Sequence, residues 1–277
     1  MCQESKGYIL DLVTIMAGLC EDKRYRFHLA KTSPKGIRPI DALAKSEETW
    51  LGWQVYRGNA KERFTVDKIV SFAQISGNKF LFGGMFNITS RSSEKYEVEY
   101  SQQYRDLIGR LVIEYLGNNT RATVFRPTHI YENSRIVALY ESRFKGEPFT
   151  FFEIINHNFN AIEIIINNEL PDWKVALSSV SGIYLITDEQ TGKHYVGSAY
   201  GVNGIWGRWC TYIKSYHGNN DDLVELFEDK SESYFRENFR FSILEVVSSS
   251  WPKEEVIGKE SLWKEKLFSR KHGYNRN

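Results

Sequence analysis

Cysteine, net charge and long apolar runs are all scarce in this chain of 277 residues. Its three cysteines, Cys2, Cys20 and Cys210, are too few and too scattered for a disulfide framework or a zinc knuckle, and such usage points to a reducing cytoplasm. Lys and Arg number 36 against 35 Asp and Glu, a formal charge of +1. That near-balance argues against binding a polyanion through bulk positive charge, so any nucleic-acid contact must come from local patches. The longest apolar run near the start, Tyr8 to Cys20, carries Asp11 and has no basic segment ahead of it. It reads as an amphipathic helix over 7–19, not as a signal peptide or a membrane span. No repeat or low-complexity segment is visible.

What the chain does hold is apolar and aromatic side chains, 42% and 14% of its residues, enough for two modest cores. The reading is α+β in two domains, a β-rich one over 1–170 that suggests a small barrel or curved sheet, and a second over 178–277. After a basic, irregular 21–39, runs rich in aromatics and punctuated by glycine read as strands at 50–56, 80–88, 96–100, 111–115, 136–140 and 161–166. Gly83 and Gly84, inside one of these, mark a bulge or a close backbone approach. The turn-rich 167–172 puts the boundary between Asn167 and Ser179. Trp50, Trp53, Tyr56, Phe80, Phe82 and Phe86 form the core of the first domain or line a pocket for a flipped, modified base. Lys23, Arg24, Arg26, Lys31, Lys35 and Arg38 make a phosphate-facing arm or a solvated basic loop.

The second domain opens on a hairpin. Residues 181–186 and 193–197 are short, apolar, β-branched or aromatic runs, and 188–192 between them has hairpin-loop chemistry. A loop of 188–191 sets Tyr184 directly opposite Tyr195, while a loop of 189–192 makes them diagonal neighbours; in either case they share a face. Ile205, Trp209 and Ile213 then recur every four positions on a helix, with Arg208 and Tyr212 as an i,i+4 pair on its flank. On the last helix Val256, Glu260, Trp263 and Leu267 follow a single stripe. A carboxylate among core-facing residues must be paired or metal-bound. His194 and His217 show no ligand spacing.

Gly182-Ile183-Tyr184, Tyr195-Val196-Gly197, Arg208, Glu260 and the Asn275 of Gly273-Tyr274-Asn275 resemble, in order and spacing, the signature elements of the GIY-YIG nuclease family. The resemblance covers about residues 178–277. Val196 replaces isoleucine by another β-branched residue, and Tyr212 stands where some members have histidine. The family implies a small antiparallel sheet flanked by helices, and hydrolysis of double-stranded DNA with Mg²⁺, for which Mn²⁺ can substitute. By the same resemblance Tyr184 assists deprotonation of the attacking water and Tyr195 orients it or the phosphate. Arg208 can bind a phosphate in a planar, bidentate manner, Tyr212 is a further catalytic candidate and Glu260 holds a single metal ion; Asn275 and Gly197 are structural residues near the site.

A phenol is a poor base unless nearby positive charge lowers its pKa. Lys193, placed on the same strand face as Tyr195, and Arg208 are the candidates for that role. From the basic stretch 253–276, Lys264 and Arg270 join Trp50, Trp53, Arg24 and Arg26 as candidate DNA contacts. The expectation is a restriction or defence endonuclease whose first domain selects the target, modified DNA included. No membrane association is expected, and a homodimer or sequential nicking would break a duplex. A repair or mobile-element nuclease, and a non-catalytic nucleic-acid-binding protein, are the alternatives.

Overall fold

The computed structural model describes residues 24–33, 36–55, 63–119 and 121–276. The helix expected over 7–19, and Lys23, Lys35 and Tyr56, lie outside the described residues. The chain divides into two compact units, Met1–Phe144 and Lys145–Asn277.

The first unit is built on a mixed sheet of β1 (Tyr25–Ala30), β2 (Lys68–Ser76), β3 (Lys79–Arg91), β4 (Tyr96–Tyr100), β5 (Leu111–Tyr115), β6 (Val124–Phe125) and β7 (Ser134–Leu139). The order is β6-β1-β2-β3-β5-β7 with β4 beside β3, an open path with no closed barrel. β1 and β2 are parallel and therefore need a crossover connection. Helices Pro39–Lys45 and Glu47–Val55 lie between them in the chain. Two sequence expectations are corrected here. Residues 50–55 are helical because Ser46 caps the helix, its Oγ accepting from the Thr49 N–H at 3.0 Å, with Glu47 and Glu48 in the first turn where carboxylates suit the helix dipole. The stretch read as irregular contains β1, buried at five of six positions.

In β3 the expected bulge is present. Ser71 pairs with Gly84 and Phe72 with Phe82, which leaves Gly83 as the extra residue. A Cβ on Gly83 would stand 2.5 Å from the Trp50 ring, whose Nε1 donates to the Gly83 carbonyl at 2.8 Å. Trp50, Phe80, Phe82 and Phe86 are all buried core residues, and Trp53 packs against them. This set therefore makes a core, not an aromatic base pocket. One titratable ring is sealed in with it. His28 is fully buried; its Nδ1 lies 2.9 Å from Gln54 Oε1, and Arg63 Nη2 donates to its Nε2 at 2.6 Å. Burial, with the Arg63 charge beside it, holds the ring down at a pKa of about 3. His28 is thus a neutral acceptor.

The second unit carries an antiparallel sheet of β8 (Asn156–Asn158), β9 (Val180–Asp188), β10 (His194–Ala199) and β11 (Phe239–Ser248), in the order β10-β9-β11-β8. The unit begins earlier than the expected 167–179. β8 pairs with β11, and the helix Phe159–Asn167 supplies Phe159, Ile162, Ile165 and Ile166 to the same core as Tyr184. Residues 161–166 are accordingly helix and not strand. Asn158 starts that helix by accepting from the Ala161 N–H at 2.9 Å, a cap that the isoleucine-rich 162–166 disguises in the sequence.

Strand alternation sorts the side chains of β9 and β10 between two layers. Tyr184, Ile186, Tyr195 and Ala199 pack with helix Gly204–Ser215, the arginine helix, in one buried cluster. Ile183 and Val196 pack with Val256 of helix Lys253–Lys266, the glutamate helix, in another. No helix of the described residues is long and apolar enough to cross a membrane.

Candidate active site

The hairpin register places Gly197 opposite Tyr184 and Tyr195 opposite Ile186, so the loop is 189–192 and the two tyrosines are diagonal neighbours on one face. Their ring centroids are 6.3 Å apart. Gly197 is required by Tyr184 itself, because a Cβ there would lie 2.3 Å from the Tyr184 hydroxyl. The loop is tied down through Asp188, whose carboxylate accepts from Tyr274 at 2.7 Å, Tyr234 at 2.9 Å and Thr191 at 2.7 Å.

On the arginine helix Ile205, Trp209 and Ile213 are buried, and Arg208 turns toward the tyrosines. Its Nε donates to the Tyr184 hydroxyl at 3.0 Å and its Nη2 to the Tyr212 hydroxyl at 3.3 Å. The two hydroxyls are themselves 3.2 Å apart. Tyr184 and Tyr212 have no exposed surface. Burial first, then the neighbouring Tyr195, push the Tyr184 phenol well above its usual pKa, and the opposing pull of Arg208 does not reverse this. Tyr212 is raised in the same way. At Tyr184 burial thus outweighs the nearby positive charge, and its hydroxyl accepts from the Arg208 guanidinium.

Lys193 sits in the turn before β10, exposed, with its ammonium 5.3 Å from the centre of the Tyr274 ring.

Glu260 reaches the site from the other layer. Its stripe partners Val256, Trp263 and Leu267 face the second apolar cluster. Glu245 of β11 fastens the helix there, accepting from Lys259 Nζ at 2.7 Å and Trp263 Nε1 at 2.9 Å. Because β10 is the edge strand, the Glu260 carboxylate meets the tyrosine face around that edge. Ser198 of β10 donates to one of its oxygens, and Lys264 Nζ lies 2.7 Å from the other. Lys264 is only 5% exposed, so it faces this carboxylate and not a phosphate backbone, contrary to its sequence reading.

The outer rim of β10 is closed by Asn275. Its Oδ1 accepts from the Val196 N–H and its Nδ2 donates to the Val196 carbonyl, both at 2.9 Å, satisfying backbone groups that an edge strand leaves open.

These elements surround one cleft of about 600 Å³, lined by Tyr195, Ser198, Tyr200, Arg208, Thr211 and Glu260 among others. The chain is similar to a solved endonuclease domain. That structure is the catalytic domain of the homing endonuclease I-TevI, 30% identical, with the match covering 35% of this chain and 98% of that one at a TM-score of 0.28. A mutant of the catalytic domain of the same intron endonuclease is 28% identical over 35% of this chain and 94% of that one, also at 0.28. No family model matches the chain, and no curated protein does.

The site's chemistry is read from its own side chains. One carboxylate and a hydroxyl facing an open cleft suit a magnesium ion that keeps most of its ligands as water and phosphate oxygen. Among the described residues no cluster of three His, Cys, Asp or Glu exists, so an all-protein metal cage is not built here. Of the other candidate contacts, Arg24 is exposed and Arg26 donates to the Tyr25 carbonyl at 2.8 Å. Arg270 donates to Ser261 Oγ at 2.7 Å. Sequence reasoning missed Ser198 and the exposed Val202 on the cleft lip. Strand parity carried a signal for Ser198, which alternates with Tyr195 toward the opposite layer.

Proposed function

We propose that this chain is a magnesium-dependent DNA endonuclease that hydrolyses phosphodiester bonds. The observation that carries this reading is the meeting of Tyr195, Arg208 and Glu260, from three separate segments, on one cleft. Phosphodiester hydrolysis needs a fixed cation for the nonbridging oxygens and a group that orients water. Arg208 supplies the first; Tyr184 and Tyr212 hold its plane while leaving its charge unspent, since both partners are neutral. Tyr195, which lines the cleft, is assigned the orienting of water there. Glu260 would hold the magnesium ion, which when bound offsets charge on the phosphate and leaving oxygen.

The first unit is assigned target choice, as in a restriction or defence enzyme. A domain the size of the second unit has little surface for selecting a sequence. Reading of a modified base loses its motivation from Trp50, Phe80, Phe82 and Phe86, which are core. The test is Mg²⁺-dependent nicking of plasmid DNA by the full chain. Arg208→Ala and Glu260→Gln should each lower the rate by about a hundred- to a thousandfold with an unchanged circular dichroism spectrum. Cutting by either variant at the unsubstituted rate would falsify the reading. Comparing unmodified with methylated plasmid separates a restriction role from repair.

A further inference from the structure

Lys264 and Glu260 stand one helical turn apart with Nζ and Oε1 separated by 2.7 Å, while Ser198 donates to the second oxygen. Both carboxylate oxygens are therefore engaged before any ligand arrives. The side chain of Lys264 is 5% exposed and that of Glu260 14%, so this is an ion pair little screened by solvent. Across the cleft stands Arg208, whose partners are uncharged phenols. The cluster of Arg208, Lys264 and Glu260 has a net charge of +1 without substrate. Adding a divalent cation alone raises that charge to +3, with a fixed ammonium against the ligand oxygen it needs. Adding a phosphodiester first brings the cluster to neutrality and supplies oxygen ligands.

We propose that Lys264 is a positioning residue that keeps the Glu260 carboxylate charge-compensated, so that a divalent cation is held tightly only together with a phosphodiester. The inference rests on the nuclease reading for the identity of the anion, but not on cutting for its test. Lys264 orders the assembly: phosphate first or together with metal, never metal alone. Ser198 serves the same carboxylate without adding charge, so its hydroxyl can turn away at no electrostatic cost to the cation.

The experiment measures Mn²⁺ binding to the full chain by electron paramagnetic resonance of the free ion, with and without a short DNA duplex carrying a non-hydrolysable linkage. For the unsubstituted protein the duplex should tighten Mn²⁺ binding at least about tenfold. Lys264→Met should bind Mn²⁺ at least about tenfold more tightly than the unsubstituted protein in the absence of DNA, and the effect of the duplex should shrink by the same factor. Ser198→Ala, which leaves the charge alone, should change DNA-free affinity by less than about threefold. Thermal melts confirm that each variant is folded. DNA-free Mn²⁺ binding by Lys264→Met that is equal to or weaker than that of the unsubstituted chain, including no binding by either, overturns the proposal, as does an effect of Ser198→Ala as large as that of Lys264→Met. Should the chain cut no DNA yet show the tightening in Lys264→Met, the nuclease reading fails while the role of Lys264 stands.

Discussion

Two cations serve the cleft, Arg208 lining it and Lys264 buried behind the Glu260 that lines it, and they are paired in opposite ways. Arg208 is held by two neutral phenols, whereas Lys264 is held by a carboxylate. Both are fixed in place, but only Arg208 keeps its charge for a ligand. The difference teaches that burial and hydrogen bonding decide where a cation sits, while the charge of its partner decides what it can still attract. In the first unit Arg63 likewise donates to a neutral acceptor, the buried His28.

The sharpest way to break the comparison is to remove the hydroxyls one at a time. Tyr195→Phe, which takes a hydroxyl from the cleft, should lower the nicking rate about a hundredfold. Tyr184→Phe should cost only about tenfold, through loss of one acceptor for Arg208. Equal losses, or the reverse order, would return Tyr184 to the role of water activator. Gly197→Ala attacks the same pairing from the strand: its new Cβ must displace the Tyr184 ring, and urea melts should show the second unit destabilised by about 1–3 kcal/mol. A smaller, graded effect belongs to His28. Its folded pKa of about 3 lies below the ordinary 6.5, so the unfolded chain takes up a proton that the folded one refuses. The stability that the neutral ring confers is complete above about pH 6.5 and is lost as pH falls toward 3, by up to about 1.4 kcal/mol per pH unit. Denaturant melts of the first unit across that range should show this slope, and His28→Gln should flatten it.

Much of the second unit was readable in the sequence, because period-two and period-four patterns report directly on faces. The shared face of Tyr184 and Tyr195, the flank position of Arg208 and the stripe carrying Glu260 follow from spacing alone. Spacing does not tell which layer a helix joins. The glutamate helix packs on the face opposite the tyrosines, and its carboxylate reaches them only because β10 is an edge. Lys264 illustrates the same limit: its position four residues after Glu260 is the spacing of a helical ion pair, but a basic stretch reads as a solvated or phosphate-facing patch until its burial is known. The first unit was harder to read. Its β1 carries Arg26 and His28 between apolar residues inside a basic stretch, and its parallel partner β2 follows only after two helices, so neither stood out as sheet. Four isoleucines within 162–166 likewise made a helix of 159–167 look like a strand.

The amide of Asn275 does at Val196 of β10 what the backbone of a neighbouring strand would otherwise do. It makes the segment 273–275 a mechanical part of the cleft wall, since Tyr195 and Ser198 flank the clamped Val196 on opposite sides of one short ribbon. The phenol that lines the cleft and the serine that donates to Glu260 thus share one backbone anchor.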